Sequence, residues 1–383
     1  MARIWHDVRV NVRAEHVGSL LRPPELLEAR AARARGELDD ERLRQVEDEA
    51  VMAAIALQRD AGVEVFTDGE MRRATWMAGI LESLGGVVEV TAARVGWHSD
   101  RGEAPPIEET DFATVAVSSK LSQRVPLTSV EAAFLAEHAP GPYKITMMSS
   151  SMGALLWRPG ISESAYPSVG DMMRDLVDLQ AREIEGLIDQ GVRWIQLDSL
   201  AYNQVIDDQF RGQLGARGAV EPAAILDMAV RVDNQLIRAA RDRSPEVTVG
   251  LHMCRGNNRS AWMAQGSYEP VAERLFGEVD VDRFLLEYDT ERAGGFEPLR
   301  FVPRGKTVVL GLISSKFPEL EAKDDLRRRI DDAARYVPLE DLALSPQCGF
   351  ASNASSTPGN VLTVDEQRRK LELVAETARL VWG

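Results

Sequence analysis

Cysteine is scarce. Only Cys254 and Cys348 occur in 383 residues, too few for the disulfide framework of a small secreted scaffold. In a reducing compartment such residues are thiols or metal ligands. Long apolar runs are missing as well. Nothing approaches the roughly 20 residues of a membrane span, and the opening "MARIWHDVRVNVRAEHVGS" has no signal-peptide core. The expectation is a cytoplasmic protein without a membrane partner. Positive charge is in deficit: 45 Lys and Arg stand against 60 Asp and Glu, a net charge of −15. That balance repels a phosphate backbone and argues against general nucleic-acid binding. No glycine fingerprint follows the first strand-like run, which argues against a dinucleotide-binding open sheet. What the chain does have is 44% hydrophobic and 27% charged residues, the make-up of a globular protein with a full core.

Strand-like runs alternate with helix-period segments along the whole length. Eight runs stand out, at 14–20, 63–70, 143–150, 192–200, 247–254, 283–289, 307–314 and 342–350. They are continuously apolar, as parallel strands covered on both faces are. Amphipathic segments such as "MMRDLVDLQAREIEGLIDQG" lie between them. This pattern predicts an α/β fold, a (β/α)8 TIM barrel formed by residues 1–383 as one domain. Residues 86–140 break the rhythm between the second and third runs. There "VEVTAARVGWHSD" and "ATVAVSSKLSQR" alternate as a hairpin does, with an acidic, proline-bearing stretch between them. An excursion of this length in a βα connection is usually functional. It reads equally as a lid over the barrel mouth, carrying Trp97 and His98, or as a contact between subunits of a homo-oligomer.

Both cysteines fall at predicted strand ends. In "VTVGLHMC", His252 and Cys254 are two apart and face one way on a strand. Cys348 follows in "SPQCGF", and the run "FLLEYD" places Glu287 among apolar neighbours. Strand ends converge on one mouth of a barrel, so His252, Cys254, Glu287 and Cys348 form a candidate four-coordinate site. Imidazole, thiolate and carboxylate suit zinc. Against this, a lone cysteine is usually a small core hydrophobe, and a His at a strand end is more often a hydrogen-bonded core residue.

With those residues in view, the chain resembles the cobalamin-independent methionine synthase family, in particular its catalytic C-terminal barrel. The matching pieces are "VGSLLRP", "TDGEMRR", "IQLDS", "LHMCRGN", "EYD" and "LSPQCGFAS", in family order across nearly the whole length. The resemblance implies a zinc ion on His252, Cys254, Glu287 and Cys348. It implies that Gly18, Ser19, Glu70 and Asp198 hold the amino-acid end of homocysteine, whose zinc-held thiolate attacks a methyl carbon to give methionine. Asp68 reads as a cap on a following helix.

The chain departs from the family pattern in three places. It has one barrel's length where the full synthases have two. Asp198 is followed by Ser199-Leu200, and the family's His-Ser-Pro after the seventh strand is Ser314-Ser315-Lys316 here. A proton donor, where the leaving group needs one, is then sought among His16, Lys316, Tyr202 and His98. These features are similar to the short, single-barrel branch, which includes the epoxyalkane:coenzyme M transferases. The partners expected are a small-molecule thiol and a small methyl or alkyl donor. An epoxide with a sulfonate thiol is the alternative, for which Arg22, Arg72, Arg73 and Arg255 are the available cations. A metal-free barrel of the uroporphyrinogen decarboxylase type is a further class, and a non-enzymatic binding protein another.

Overall fold

A computed structural model describes residues 12–75, 77, 82–90, 97–99, 115–126, 128–209, 211, 221–351 and 361–383. Two antiparallel strands, β1 (Leu84–Glu89) and β2 (Val115–Gln123), form a separate ribbon. Six parallel strands follow in chain order: β3 (Ile145–Met148), β4 (Trp194–Asp198), β5 (Thr248–Met253), β6 (Arg283–Glu287), β7 (Thr307–Ile313) and β8 (Leu342–Pro346). Each is buried along nearly its whole length. Alternation of apolar strand and amphipathic helix explains this, because helices cover the outer face while the inner face closes on itself.

The first two expected strands are reduced to single bridges. Leu344 N–H donates to Arg13 at 2.9 Å and Glu15 N–H to Leu344 at 3.1 Å; Glu64 N–H reaches Ala14 at 2.9 Å, and Phe66 N–H reaches Pro142 at 2.8 Å. These bonds span the gap between β8 and β3. Both segments leave the strand direction early, because 17–23 and 67–73 turn into the mouth. The barrel interior below is charged. Glu15 takes Lys144 at 2.8 Å and Arg283 at 2.6 Å. Burial opposes ionisation of Glu15, but the two cations win and hold its carboxyl at about 2.

Helix ends follow local chemistry. Asp39 accepts from Arg42 N–H at the start of Asp40–Ala61, and Gly62 at φ 82° ends that helix. A Thr363–Glu366 capping box opens Val364–Trp382. Among the described residues no helix is long and apolar enough to cross a membrane.

Candidate functional site

A cavity lies at the C-terminal ends of the strands, about 670 Å³ when the space at its open mouth is included. In its wall are His252, Cys254 and Cys348, all buried, with donor atoms within 4.8 Å of one another. His252 lies on β5 with Nδ1 3.2 Å from the Leu285 carbonyl. With Nδ1–H donated there, Nε2 carries the lone pair, and Nε2 is buried with no hydrogen-bond partner. Cys254 sits just past the strand, its carbonyl held by Asn203 Nδ2 at 2.7 Å. The two sulfurs are 3.4 Å apart, far beyond the ~2.05 Å of a disulfide. The S–H of Cys348 donated to Cys254 holds the Cys254 thiol well below its ordinary value; burial opposes this and His252 adds to it. An orphaned imidazole nitrogen beside two sulfurs, one inclined to thiolate, is a donor set that fits zinc.

Glu287 stands outside this group of three. It ends β6 fully buried, and both of its oxygens are engaged. Arg292 Nη2 donates to Oε1 at 2.8 Å and the Arg255 backbone N–H to Oε2 at 2.6 Å, while Lys316 Nζ lies 3.8 Å from Oε1. Burial pushes its carboxyl up, but Lys316, Arg292 and Arg255 together hold it below the usual range.

Ser19, Glu70 and Asp198 line the same cavity. Glu70 has the left-handed φ of 56°, on a turn that the Asp68 carboxylate closes by accepting Glu70 N–H at 2.9 Å. Thr146 Oγ1 donates to Glu70 Oε1 at 2.9 Å, whereas Oε2 is buried without a partner. Asp198 ends β4 in register with His252. Burial lifts its carboxyl to about 7; His252 lowers it and Glu70 raises it. Gly18 lies behind the wall, where a Cβ would come within 2.9 Å of Thr146 Cγ2 and 3.0 Å of Glu70 Oε1. Its lack of a side chain lets Glu70 sit where it does.

The four candidate proton donors are placed elsewhere, and none lines the cavity. His16 Nε2 meets Gln58 Oε1 at 2.8 Å, and burial with Lys144 nearby lowers its imidazole to about 3. Tyr202 donates to Asp233 Oδ2 at 2.6 Å. Lys316 is fully buried beside Glu287. His98 stacks on Trp262 with ring centroids 4.5 Å apart. His98 and Trp262 also exchange two backbone hydrogen bonds, of 2.8 and 2.9 Å. That pairing brings Trp97, from the inserted excursion, into the cavity wall.

Several wall residues carried no role in the sequence reading: Thr75, Met77, Ser199, Leu200, Asn257 and Asn258. Asn257 Nδ2 donates to Gly349 at 2.9 Å, tying the loop after β5 to the loop after β8. The Arg-Gly-Asn-Asn following Cys254 was the available signal. Gly256, at φ 88°, packs against Met263 and Trp97; a Cβ there would come within 2.6 Å of Met263 Cγ and 3.2 Å of the Trp97 ring. Among the described residues no Lys or Arg lines the cavity. Arg22 bonds backbone carbonyls, Arg72 pairs with Asp48, Arg73 with Glu131, and Arg255 stacks on Tyr268.

Comparison with known proteins follows the same lines. The family profile described as "Cobalamin-independent synthase, Catalytic domain" matches residues 13–364. The uncharacterized protein YxjG of Bacillus subtilis is 37% identical, over 97% of this chain and 94% of its own. A methionine synthase of Pyrococcus abyssi is 24% identical, over 87% of this chain and 85% of its own. A solved structure from Listeria monocytogenes, assigned as a vitamin-B12-independent methionine synthase, superposes with a TM-score of 0.71 at 29% identity, over 97% of this chain and 98% of that one. A B12-independent methionine synthase from Shewanella, solved with selenomethionine, shares the fold with a TM-score of 0.70 at 19% identity, over 97% of each chain.

Proposed function

The chain belongs to the cobalamin-independent synthase catalytic-domain family, and from that premise we propose that it is a zinc-dependent thiol S-methyltransferase converting homocysteine to methionine. One observation carries the reading: three convergent soft donors share a cavity with two buried carboxylates. His252, Cys254 and Cys348 would hold the metal. Zinc bound there keeps a thiol deprotonated at neutral pH and does so in an electron-rich, weakly acidic setting. Glu287, expected as a fourth ligand, is the nearest reserve carboxylate.

The chain's own residues supply the rest. Glu70 and Asp198 face the cavity as acceptors for the substrate ammonium, and Ser19 and Asn257 offer neutral polar atoms beside them. Gln196 Nε2, donating to Asp198 Oδ1 at 2.8 Å, fixes that carboxylate in place. Met77, Trp97 and Leu200 give the methyl donor an apolar wall. A dry, oriented cavity favours transfer of the methyl to the substrate thiolate over reaction with water. Of the excursion 86–140, residues 91–96, 100–114 and 127 lie outside the described residues; Trp97 in the wall supports its reading as a lid on the single barrel 1–383 over a purely intersubunit role.

A sulfonate thiol would need a cation in the wall, and the four candidate arginines are committed elsewhere. That favours homocysteine over a coenzyme M-like thiol. The grouping of both cysteines with His252 speaks against a metal-free decarboxylase. We place the enzyme in the cytoplasm, acting on small molecules. Elemental analysis of protein purified without added metal should give one zinc per chain. Mass spectrometry should then find methionine when homocysteine is offered with a panel of methyl donors. Metal-free protein, or methylation of sulfonate thiols alone, refutes the reading.

A further inference from the structure

A buried carboxylate lies behind the cavity. Asp233, on the helix Pro222–Arg243, has no exposed surface. Ser149 Oγ donates to its Oδ1 and Tyr202 to its Oδ2. Among the described residues no Lys, Arg or His pairs with it. Burial raises its carboxyl above the ordinary value, with hydrogen bonds from Ser149, Tyr202 and Ser151 pulling the other way.

From Asp233 a line of hydroxyls runs back to the cavity. Ser151 Oγ donates to Ser149 Oγ at 2.9 Å and lies 2.9 Å from Ser199 Oγ. All three serines are buried, and Ser199 lines the cavity next to Asp198. A carboxylate only accepts, so the direction of every bond is set. Ser149 donates to Asp233, Ser151 donates to Ser149, and Ser199 donates to Ser151. Every hydroxyl thus points its proton away from the cavity and offers a lone pair toward it.

We propose that Ser199, Ser151 and Ser149 relay the proton of the substrate thiol to Asp233. The inference rests on the thiol reading given above. The S–H bond breaks with its electron pair left on sulfur. Ser199 Oγ takes that proton as its own passes to Ser151 Oγ, Ser151's passes to Ser149 Oγ, and an O–H bond forms on Asp233. The net change is thiol plus carboxylate to thiolate plus carboxylic acid. After methyl transfer the same path returns the proton to the donor's leaving group. Asp233 touches no substrate and acts only through Ser199. The relay answers two features left open by the site. None of His16, Lys316, Tyr202 or His98 lines the cavity, and Tyr202 instead anchors the far oxygen of Asp233.

A purely structural role is the competing account: the network would merely pin the helix to the barrel. Proton counting separates the two. Zinc-loaded protein is titrated calorimetrically with homocysteine at pH 7 in buffers of different ionisation enthalpy. The wild type should release close to no protons to buffer. Asp233→Asn and Ser151→Ala should each release close to one, and Ser151→Ala guards against misfolding of the aspartate variant. Infrared difference spectra should show a carboxylic-acid carbonyl band on binding, absent from Asp233→Asn. Equal proton release by wild type and both variants would overturn the relay while leaving homocysteine binding intact. No binding heat in the wild type would overturn the relay together with the reading beneath it.

Discussion

Replacing Glu70 by glutamine isolates charge from shape at the substrate end of the cavity. Glu70 Oε1 already accepts from Thr146 Oγ1 at 2.9 Å, and a glutamine carbonyl oxygen keeps that bond. The change falls on Oε2, which is buried and unpartnered. There a carboxylate oxygen aimed at an ammonium becomes an amide N–H₂ that repels it. A hydrogen bond to a charged, buried partner contributes roughly 1.5–3 kcal/mol, so the loss is about 10- to 150-fold in affinity at about 1.4 kcal/mol per tenfold. Arg73 stays neutralised because it holds Glu131 through two bonds, of 2.8 and 2.6 Å, independent of Glu70. The left-handed φ of 56° disfavours both residues alike. The assay is the KM for homocysteine beside that for 4-mercaptobutyrate, which lacks the ammonium. Glu70→Gln should raise the first by one to two orders of magnitude and leave the second nearly unchanged. Equal effects on both thiols, or none on homocysteine, would refute the assignment of Glu70 to the amino group.

Cys254→Ser and Cys348→Ser should each lose most of the bound zinc by elemental analysis while keeping a native circular dichroism spectrum, because a barrel core does not depend on a mouth ligand. His16 should stay neutral as pH falls from 7 to 5, as its folded value of about 3 lies below the usual histidine value; the unfolded chain protonates first, so stability is lost over that window, by about 2 kcal/mol at pH 5. Imidazole ¹⁵N shifts that titrate near 6.5 at this residue would contradict it. Replacing 92–122 by a short Gly-Ser turn should leave zinc content intact and collapse turnover at saturating thiol, since Trp97 leaves the wall; normal turnover in the shortened protein would remove the lid from the mechanism.

The six central staves were legible because each is an uninterrupted apolar run, and burial on both faces demands nothing else of a parallel strand. The first two were legible as positions but not as lengths. Residues 14–20 and 63–70 hold Glu15 and Glu70, whose side chains meet Lys144, Arg283 and Thr146 on or beside other staves, and His16 and Asp68, which bond Gln58 and the Glu70 N–H. Single bridges at Ala14 and Phe66 suffice to carry the chain past the gap, after which it turns toward the mouth. His252 and Cys254 were readable from strand period alone, and Cys348 from its place after β8. Ser199 was not readable. A serine after a strand carries no signal until Ser149 and Ser151, nearly fifty residues away, are brought alongside it.

Glu287 shows where strand-end reasoning stops. Period and burial place a residue at a stave end, but they do not say which neighbour its side chain will choose. Arg292 is five residues further on, and Lys316 follows β7, where the family pattern has a His-Ser-Pro segment. Both bring positive charge to the same carboxylate, at 2.8 and 3.8 Å. Neither cation has a carboxylate from solvent to turn to, as both side chains are nearly fully buried. An unpaired buried cation is costly, so Glu287 is committed to these two, with Asp289 also 3.5 Å from Arg292. The three soft donors instead converge on one another. His252 Nε2 has no other partner, and each sulfur has the other beside it. Strand spacing therefore finds the side chains that converge at the mouth, but not the cations that a buried carboxylate at a neighbouring stave end must also answer to.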